Sequence, residues 1–262
     1  MKQILVYADS GVSAGCYEQT VRSLREEVDG NIYSVRPFDA QQLLKTDWES
    51  GTSLLVIPGG RDLPYQQKLS PDGTRRIRDF VKQGGSYLGL CAGAYFGAQE
   101  IVFEKGGDLE VCAQRDLAFF PGKAVGPAYG TGRFRYDCDA DIEAASITWR
   151  AESEEILCHA FFYGGCFFEN PALYPHIKIL ATYGDLPGNP AAAVYCPIEK
   201  GRAVLSGVHL EYSVQDWAGF STGHLRIRPL LLASEKRRRR CFRSLLYLLE
   251  IINDKSVKNI LL

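Results

Sequence analysis

Net charge is the first thing this 262-residue sequence lacks: 30 Lys and Arg stand against 31 Asp and Glu, leaving a formal −1. A dedicated nucleic-acid surface needs a basic excess, so no nucleic-acid partner is expected. Long apolar runs are missing too. No stretch approaches the ~18 consecutive apolar residues of a membrane span, so no membrane partner is expected. The start, Met1-Lys2-Gln3-Ile4-Leu5-Val6-Tyr7-Ala8-Asp9, turns acidic too soon for a secretory signal. A cytoplasmic, reducing setting is therefore expected. The eight cysteines include no CxxC pair, which disfavours a zinc ribbon or a thioredoxin-like motif and leaves mostly buried, free thiols. Scattered His and Cys show no ligand spacing and no cofactor motif is evident, so neither metal nor cofactor is expected. Repeats, low-complexity tracts and linkers are absent as well, and residues 1–262 read as one compact domain. A hydrophobic content of 46% excludes a disordered chain.

What the sequence does have is alternation. Gln3–Tyr7, Asn31–Val35, Ser53–Ile57 and Ser86–Leu90 are short strand-like runs. Cys16–Val28 has helical spacing, and Ser70-Pro71 opens a further helix that Gly84-Gly85 closes. Strands alternating with helices predict βαβ units: an α/β fold with a mainly parallel sheet and helices on both faces. The middle, Gly106 to Asp185, is rich in Gly, Phe and Tyr and reads as a β-rich, mostly antiparallel insertion. Strand pattern returns at Lys178–Tyr183, Ala191–Cys196 and Arg202–Ser206, and a last helix is predicted over Ser234–Asn253. The run Lys236-Arg237-Arg238-Arg239-Arg240 reads as solvated first turns of that helix, since consecutive charges spread around a helix instead of forming one stripe.

Gly89-Leu90-Cys91-Ala92-Gly93 follows one strand and precedes a helical stretch, Ala92–Gln99. That is the setting of a nucleophile elbow, where the turn is so tight that positions two before and two after the nucleophile must be glycine. A helix N-terminus behind Cys91 favours the thiolate. A cysteine nucleophile needs a base, and there are four histidines to choose from. His159 lies in an alternating strand, His176 in a Pro-containing turn and His224 in a Gly-rich loop. His209 lies just past the strand ending at Ser206, where a parallel sheet presents its site face. Glu211, two residues on, points the same way in extended chain and would orient the imidazole. Pro58-Gly59-Gly60-Arg61-Asp62 sits at another strand end, so the Gly60 and Ala92 N–H groups are the expected oxyanion hole. Tyr163-Gly164-Gly165 is a pocket candidate, because glycines permit close backbone approach. Phe161, Phe162, Phe167 and Phe168 read either as pocket wall or as core. Asp62 and Arg115 either orient a substrate or pair with each other at the surface.

Cys91, His209, Glu211 and the Gly59-Gly60 turn resemble the class I glutamine amidotransferase-like superfamily. More closely, the chain resembles the N-terminal domain of eukaryotic-type biotin–protein ligases. Carrying that likeness are Pro58-Gly59-Gly60-Arg61-Asp62-Leu63-Pro64-Tyr65, Cys91-Ala92-Gly93-Ala94-Tyr95-Phe96-Gly97, Arg115 to Gly122, Gly126-Pro127-Ala128-Tyr129, Tyr163-Gly164-Gly165, Asn189 to Ala192 and Gly207-Val208-His209-Leu210-Glu211-Tyr212. The resemblance implies a flavodoxin-like sheet with Cys91, His209 and Glu211 at its C-terminal edge. Glutamine-specific members commonly carry Gln four residues after the nucleophile; Tyr95 holds that place, so glutamine use is not implied. Nor is a Gly-Arg-Gly-Arg-type adenylate loop present, so biotinylation by this chain alone is not expected. PfpI-type proteases often place His directly after the cysteine, where Ala92 stands here.

Two functions follow as expectations. The first is a cysteine amidohydrolase or amidotransferase-like protein acting on a small amide or acyl substrate through Cys91, His209 and Glu211, with Gly60 and Ala92 as oxyanion donors and Gly59, Asp62, Tyr95, Arg115, Tyr163, Gly164 and Gly165 near the substrate. The second is a non-catalytic binding or regulatory module, with a small-molecule ligand, a biotin ligase or another protein as partner.

Overall fold

The computed structural model describes residues 1–136, 141–151, 154–215 and 222–253. The first half alternates as expected: β1 (Lys2–Tyr7), α1 (Ala14–Glu27), β2 (Tyr33–Phe38), α2 (Ala40–Lys45), β3 (Thr52–Ile57), α3 (Asp62–Leu69), α4 (Asp72–Lys82), β4 (Ser86–Leu90) and α5 (Ala92–Gly97). The middle supplies β5 (Ala98–Phe103), β6 (Val111–Gln114), β7 (Phe120–Gly126), β8 (Glu143–Ala151), β9 (Glu154–Phe162) and β10 (Phe167–Phe168). Then come β11 (Lys178–Tyr183), β12 (Ala191–Ile198), β13 (Gly201–Ser206) and α6 (Thr222–Leu248).

All of these strands join one sheet whose main path runs β2-β1-β3-β4-β13-β12-β10-β7-β5-β6, with β11, β8 and β9 branching from β12. The β2-β1-β3-β4-β13 half is wholly parallel. This is the flavodoxin-like part of the α/β fold, and the two-residue period of its strands explains both faces. Leu5, Tyr7, Leu55 and Ile57 point to the side covered by α2, α3, α4 and α5, through Leu43, Leu69, Ile77 and Phe96. Ile4, Val6, Leu54, Val56 and Leu88 point to the other, against Leu24 of α1 and Phe242 and Leu245 of α6. A strand buried on both sides cannot alternate polar and apolar residues, and all five residues of β4 are buried.

The β-rich middle extends this sheet instead of forming a separate layer. Most of its pairings are antiparallel, although β5 and β7 run parallel. The long β8–β9 hairpin lays Ile147, Trp149 and Ile156 against the α6 side of the core.

Several local expectations are corrected. Ser70 does not open α4; it ends α3, with its N–H donating to the Gln66 carbonyl and its hydroxyl to Asp116, and Pro71 takes the position before Asp72. α5 stops at Gly97, and β5 begins at the next residue. The last helix begins at Thr222, well before Ser234, so it contains Pro229 and His224, the latter expected in a loop. An internal proline costs a helix ~3 kcal/mol. Here the turns around it bury Ile227 and Leu231 against Ile142, Phe161 and Val214, and that packing overrides the local preference. The basic run therefore sits in mid-helix. Lys236, Arg237 and Arg239 are exposed, but Arg238 is buried beside Glu235, while Arg239 pairs with Glu27 and Arg240 with Glu154. All seven described cysteines are free thiols, and Cys158, Cys166, Cys196 and Cys241 are buried; Cys138 lies outside the described residues. No helix among the described residues is long and apolar enough to cross a membrane.

Candidate active site

β4 delivers Cys91 to the start of α5 with φ 50° and ψ −104°, outside the regions an L-residue ordinarily occupies. The surrounding glycines make this turn feasible. A Cβ on Gly89 would stand 2.3 Å from the Gly93 carbonyl oxygen, and one on Gly93 would stand 2.0 Å from that of Ile57. The Cys91 N–H donates to the Ser206 carbonyl (2.8 Å), tying the elbow to the end of β13. Ala92, first in its helix, has an N–H with no acceptor within that helix.

Beyond β13 the chain turns at Gly207, which interlocks with the Gly165-Cys166 backbone: a Cβ on Gly165 would meet the Gly207 oxygen at 1.8 Å, and one on Gly207 would meet the Cys166 oxygen at 1.9 Å. His209 follows. Its N–H donates to the Phe161 carbonyl (2.9 Å), so the end of β9 clamps it. Its Nδ1 lies 2.7 Å from Glu211 Oε1, and neither side chain is more than 1% exposed. The turn is held from outside as well. Ser23 Oγ on α1 donates to the Glu211 carbonyl (2.5 Å), and the Arg238 guanidinium on α6 donates to the Leu210 carbonyl. The Phe161 ring stacks on Tyr212 at 4.3 Å between centroids.

Cys91 and His209 line a common cavity of about 450 Å³. Cys91 Sγ lies 3.5 Å from the Tyr163 carbonyl oxygen. The cavity continues along Ser10, Ser13 and Cys16, at the N-terminal end of α1, and along Gly60, Arg61 and an aromatic wall of Phe134, Tyr136 and Tyr163. A narrow recess sharing Gly60, Arg61 and Cys91 reaches Asp62, Ala92, Tyr95 and Gly164. Gly60 has φ +150°, and a Cβ there would lie 2.0 Å from the Gly11 oxygen, so the turn after β3 nests on the Gly11–Ser13 loop. Gly59 makes room for chemistry from two sides: its Cβ would meet His209 Cε1 at 2.7 Å and Cys16 Sγ at 2.9 Å.

Electrostatics follow from burial. Burial alone pushes the His209 pKa down; the Glu211 carboxylate foremost, then the Cys16 and Cys91 sulfurs, outweigh it and hold the imidazole well above its ordinary value. Burial pushes the Cys16 thiol up to about 11, against the pull of His209.

Of the sequence-predicted residues, Cys91, His209, Gly60 and Tyr163 meet at the main cavity, and Ala92, Asp62, Tyr95 and Gly164 at its recess. Glu211 stands behind His209. The Tyr95 hydroxyl donates to the Gly164 carbonyl (3.0 Å), which fixes the segment over Cys91. Asp62 and Arg115 do pair, at 2.6 Å, but in the interior: Arg115 is 4% and Asp62 7% exposed, where a surface pair was one expectation. Gly165 works through Gly207 and lies outside the cavity lining. Phe162 and Phe168 are core; Phe161 packs beside His209. Sequence reading missed Cys16, Arg61, Phe134, Tyr136, Ser23 and Arg238. Applying the rule that loops after parallel strands form the site face to β1 as well would have pointed to Asp9–Cys16. Among the described residues no cluster of His, Cys, Asp and Glu has the arrangement to hold a metal ion.

The sequence matches the family described as "Biotin-protein ligase, N terminal" over residues 2–260. An uncharacterized protein of Chlamydia muridarum is 44% identical over 214 residues, covering 81% of each chain. The biotin–protein ligase of Schizosaccharomyces pombe is 39% identical over 215 residues, covering 81% of this chain and 34% of the ligase, so the likeness spans about a third of that protein. A probable pyridoxal 5'-phosphate synthase subunit of Arabidopsis thaliana is 28% identical over 182 residues, covering 64% of this chain and 63% of the subunit. The elbow, the imidazole–carboxylate pair and the nested glycine turns thus stand on a chain that belongs to the biotin–protein ligase N-terminal family.

Proposed function

We propose that the protein is a cysteine-nucleophile amidohydrolase or amidotransferase-like protein acting on a small amide or acyl substrate. Cys91 Sγ attacks the carbonyl carbon as His209 takes the thiol proton. The Gly60 and Ala92 N–H groups receive the oxyanion, an interaction typically worth ~10²–10³ in rate per donor. His209 then delivers its proton to the leaving nitrogen, the C–N bond breaks, and an acyl thioester remains on Cys91. Water, losing a proton to His209, attacks the thioester; the thiol leaves and the acid is released. Glu211 holds the imidazole tautomer and stabilises its cation. The observation that carries this reading is the elbow: Cys91 at φ 50°, flanked by glycines that cannot bear a Cβ, opens into a cavity it shares with an imidazole hydrogen-bonded to a buried carboxylate. The test is a thiol-directed acylating probe with peptide mapping. Selective, pH-dependent labelling of Cys91, and turnover of activated amides that Cys91→Ala abolishes, are expected.

One observation favours a second reading, a binding or regulatory module linked to biotin ligase or biotin metabolism: the S. pombe relative carries the matching region within a biotin–protein ligase. Indifferent labelling of the cysteines, with turnover absent, supports that reading and refutes the first.

A further inference from the structure

Arg61 follows Gly60 directly and lines both the cavity and its recess, yet its guanidinium forms no hydrogen bond or ion pair among the described residues. It lies instead over the Tyr136 ring, 3.9 Å from the centroid. Stacking uses the face of the guanidinium and leaves its in-plane N–H fork free, the geometry that suits a carboxylate. Other parts of the same cavity point to the same charge. Ser13 and Cys16 bring in the N-terminal end of the 14-residue helix α1, whose N-cap Ser13 makes no side-chain capping hydrogen bond. No Asp or Glu among the described residues lines the main cavity, and Asp62 in the recess is matched by Arg115. Among the described residues, a substrate ammonium would therefore find no carboxylate partner in the main cavity, whereas a substrate carboxylate would find Arg61, an exposed cation with no anionic partner there.

The geometry points to a substrate of defined charge: an amide or acyl compound whose end remote from the scissile carbonyl carries a carboxylate, gripped by the Arg61 fork on Tyr136, and which lacks a free ammonium group. This rests on the reading of Cys91 as the nucleophile. An ω-amido carboxylate without an α-amino group fits; a zwitterionic amino-acid amide does not.

Three maleimides that share one electrophile and differ in charge test it: N-ethylmaleimide, 3-maleimidopropionate and N-(2-aminoethyl)maleimide. Alkylation rates at Cys91, read by peptide mapping of the full chain and each divided by the rate with glutathione, should fall in the order carboxylate, neutral, ammonium. In Arg61→Gln the carboxylate-to-neutral ratio should drop about tenfold, the scale of one charge-assisted contact. Tyr136→Leu, which keeps the charge but removes the platform, should lower the same ratio. Taking ratios cancels any change in the thiol itself. An unchanged ratio in both variants, or preference for the ammonium probe, overturns the inference while leaving the nucleophile intact. Failure of Cys91 to react with any of the three refutes the nucleophile and the inference together.

Discussion

Replacing Glu211 with Gln tests the buried imidazole–carboxylate pair through stability alone, with no substrate needed. Glutamine preserves shape and an acceptor oxygen, so the change is the loss of charge 2.7 Å from His209 Nδ1 in a site where neither side chain is more than 1% exposed. In the wild type the carboxylate overcomes burial and raises the imidazole pKa. Without it, burial prevails and the pKa falls below its ordinary ~6.5. The sign of the linkage then reverses. A raised folded-state pKa contributes stability that is full below the unfolded value and is lost as pH climbs through the folded value; a depressed one costs stability as pH drops below the unfolded value. Stability that depends on the imidazole's charge is therefore present in the wild type at pH 5 and missing from the variant, and losing one partner of a buried charge pair typically costs ~3–5 kcal/mol. At roughly 2–4 °C per kcal/mol for a chain of this size, the melting temperature of Glu211→Gln should lie at least about 6 °C below that of the wild type at pH 5, and the gap should be smaller at pH 8. Differential scanning calorimetry across that range is the assay, and other titrating groups cancel in the difference. A gap that stays constant over those pH values would refute the reasoning.

Other outcomes follow from neighbouring contacts. Gly93→Ala forces a Cβ to within 2.0 Å of a backbone oxygen and should lower stability by ~3 kcal/mol or more, seen as a loss of at least 6 °C in melting temperature. Arg238→Met removes the grip on the Leu210 carbonyl between His209 and Glu211, so Cys91 acylation should slow about tenfold or more while α6 persists by circular dichroism. Cys16, with its pKa raised to about 11, should resist iodoacetamide at pH 8 although it shares the cavity; peptide mapping that finds it alkylated as fast as glutathione would contradict the burial argument.

How much of this was legible beforehand depended on how local the cause was. The parallel half was legible because β3 and β4 are continuous apolar runs between turn residues. The elbow was legible because its sterics leave glycine no substitute at 89 and 93. His209 and Glu211 were legible from their place after a strand and their two-residue spacing. Long-range causes were not. The last helix was expected only from Ser234, because the packing of Ile227 and Leu231 against β9 and its surroundings is invisible in the local sequence. Arg238 sat in a run of like charges, and only the folded chain shows that one of them turns inward to the His209 loop. Phe134 and Tyr136 occupy an irregular segment with no period to read, so the aromatic wall emerged only with the fold.

The central claim is that sulfur, imidazole and carboxylate act as one chain. Its most direct test is the second-order rate constant for acylation of Cys91 by p-nitrophenyl acetate at pH 7, in wild type and in His209→Asn. General-base help from a positioned histidine is worth ~10²–10⁴, so the variant should be slower by at least a hundredfold. Equal rate constants in the two proteins would contradict the account.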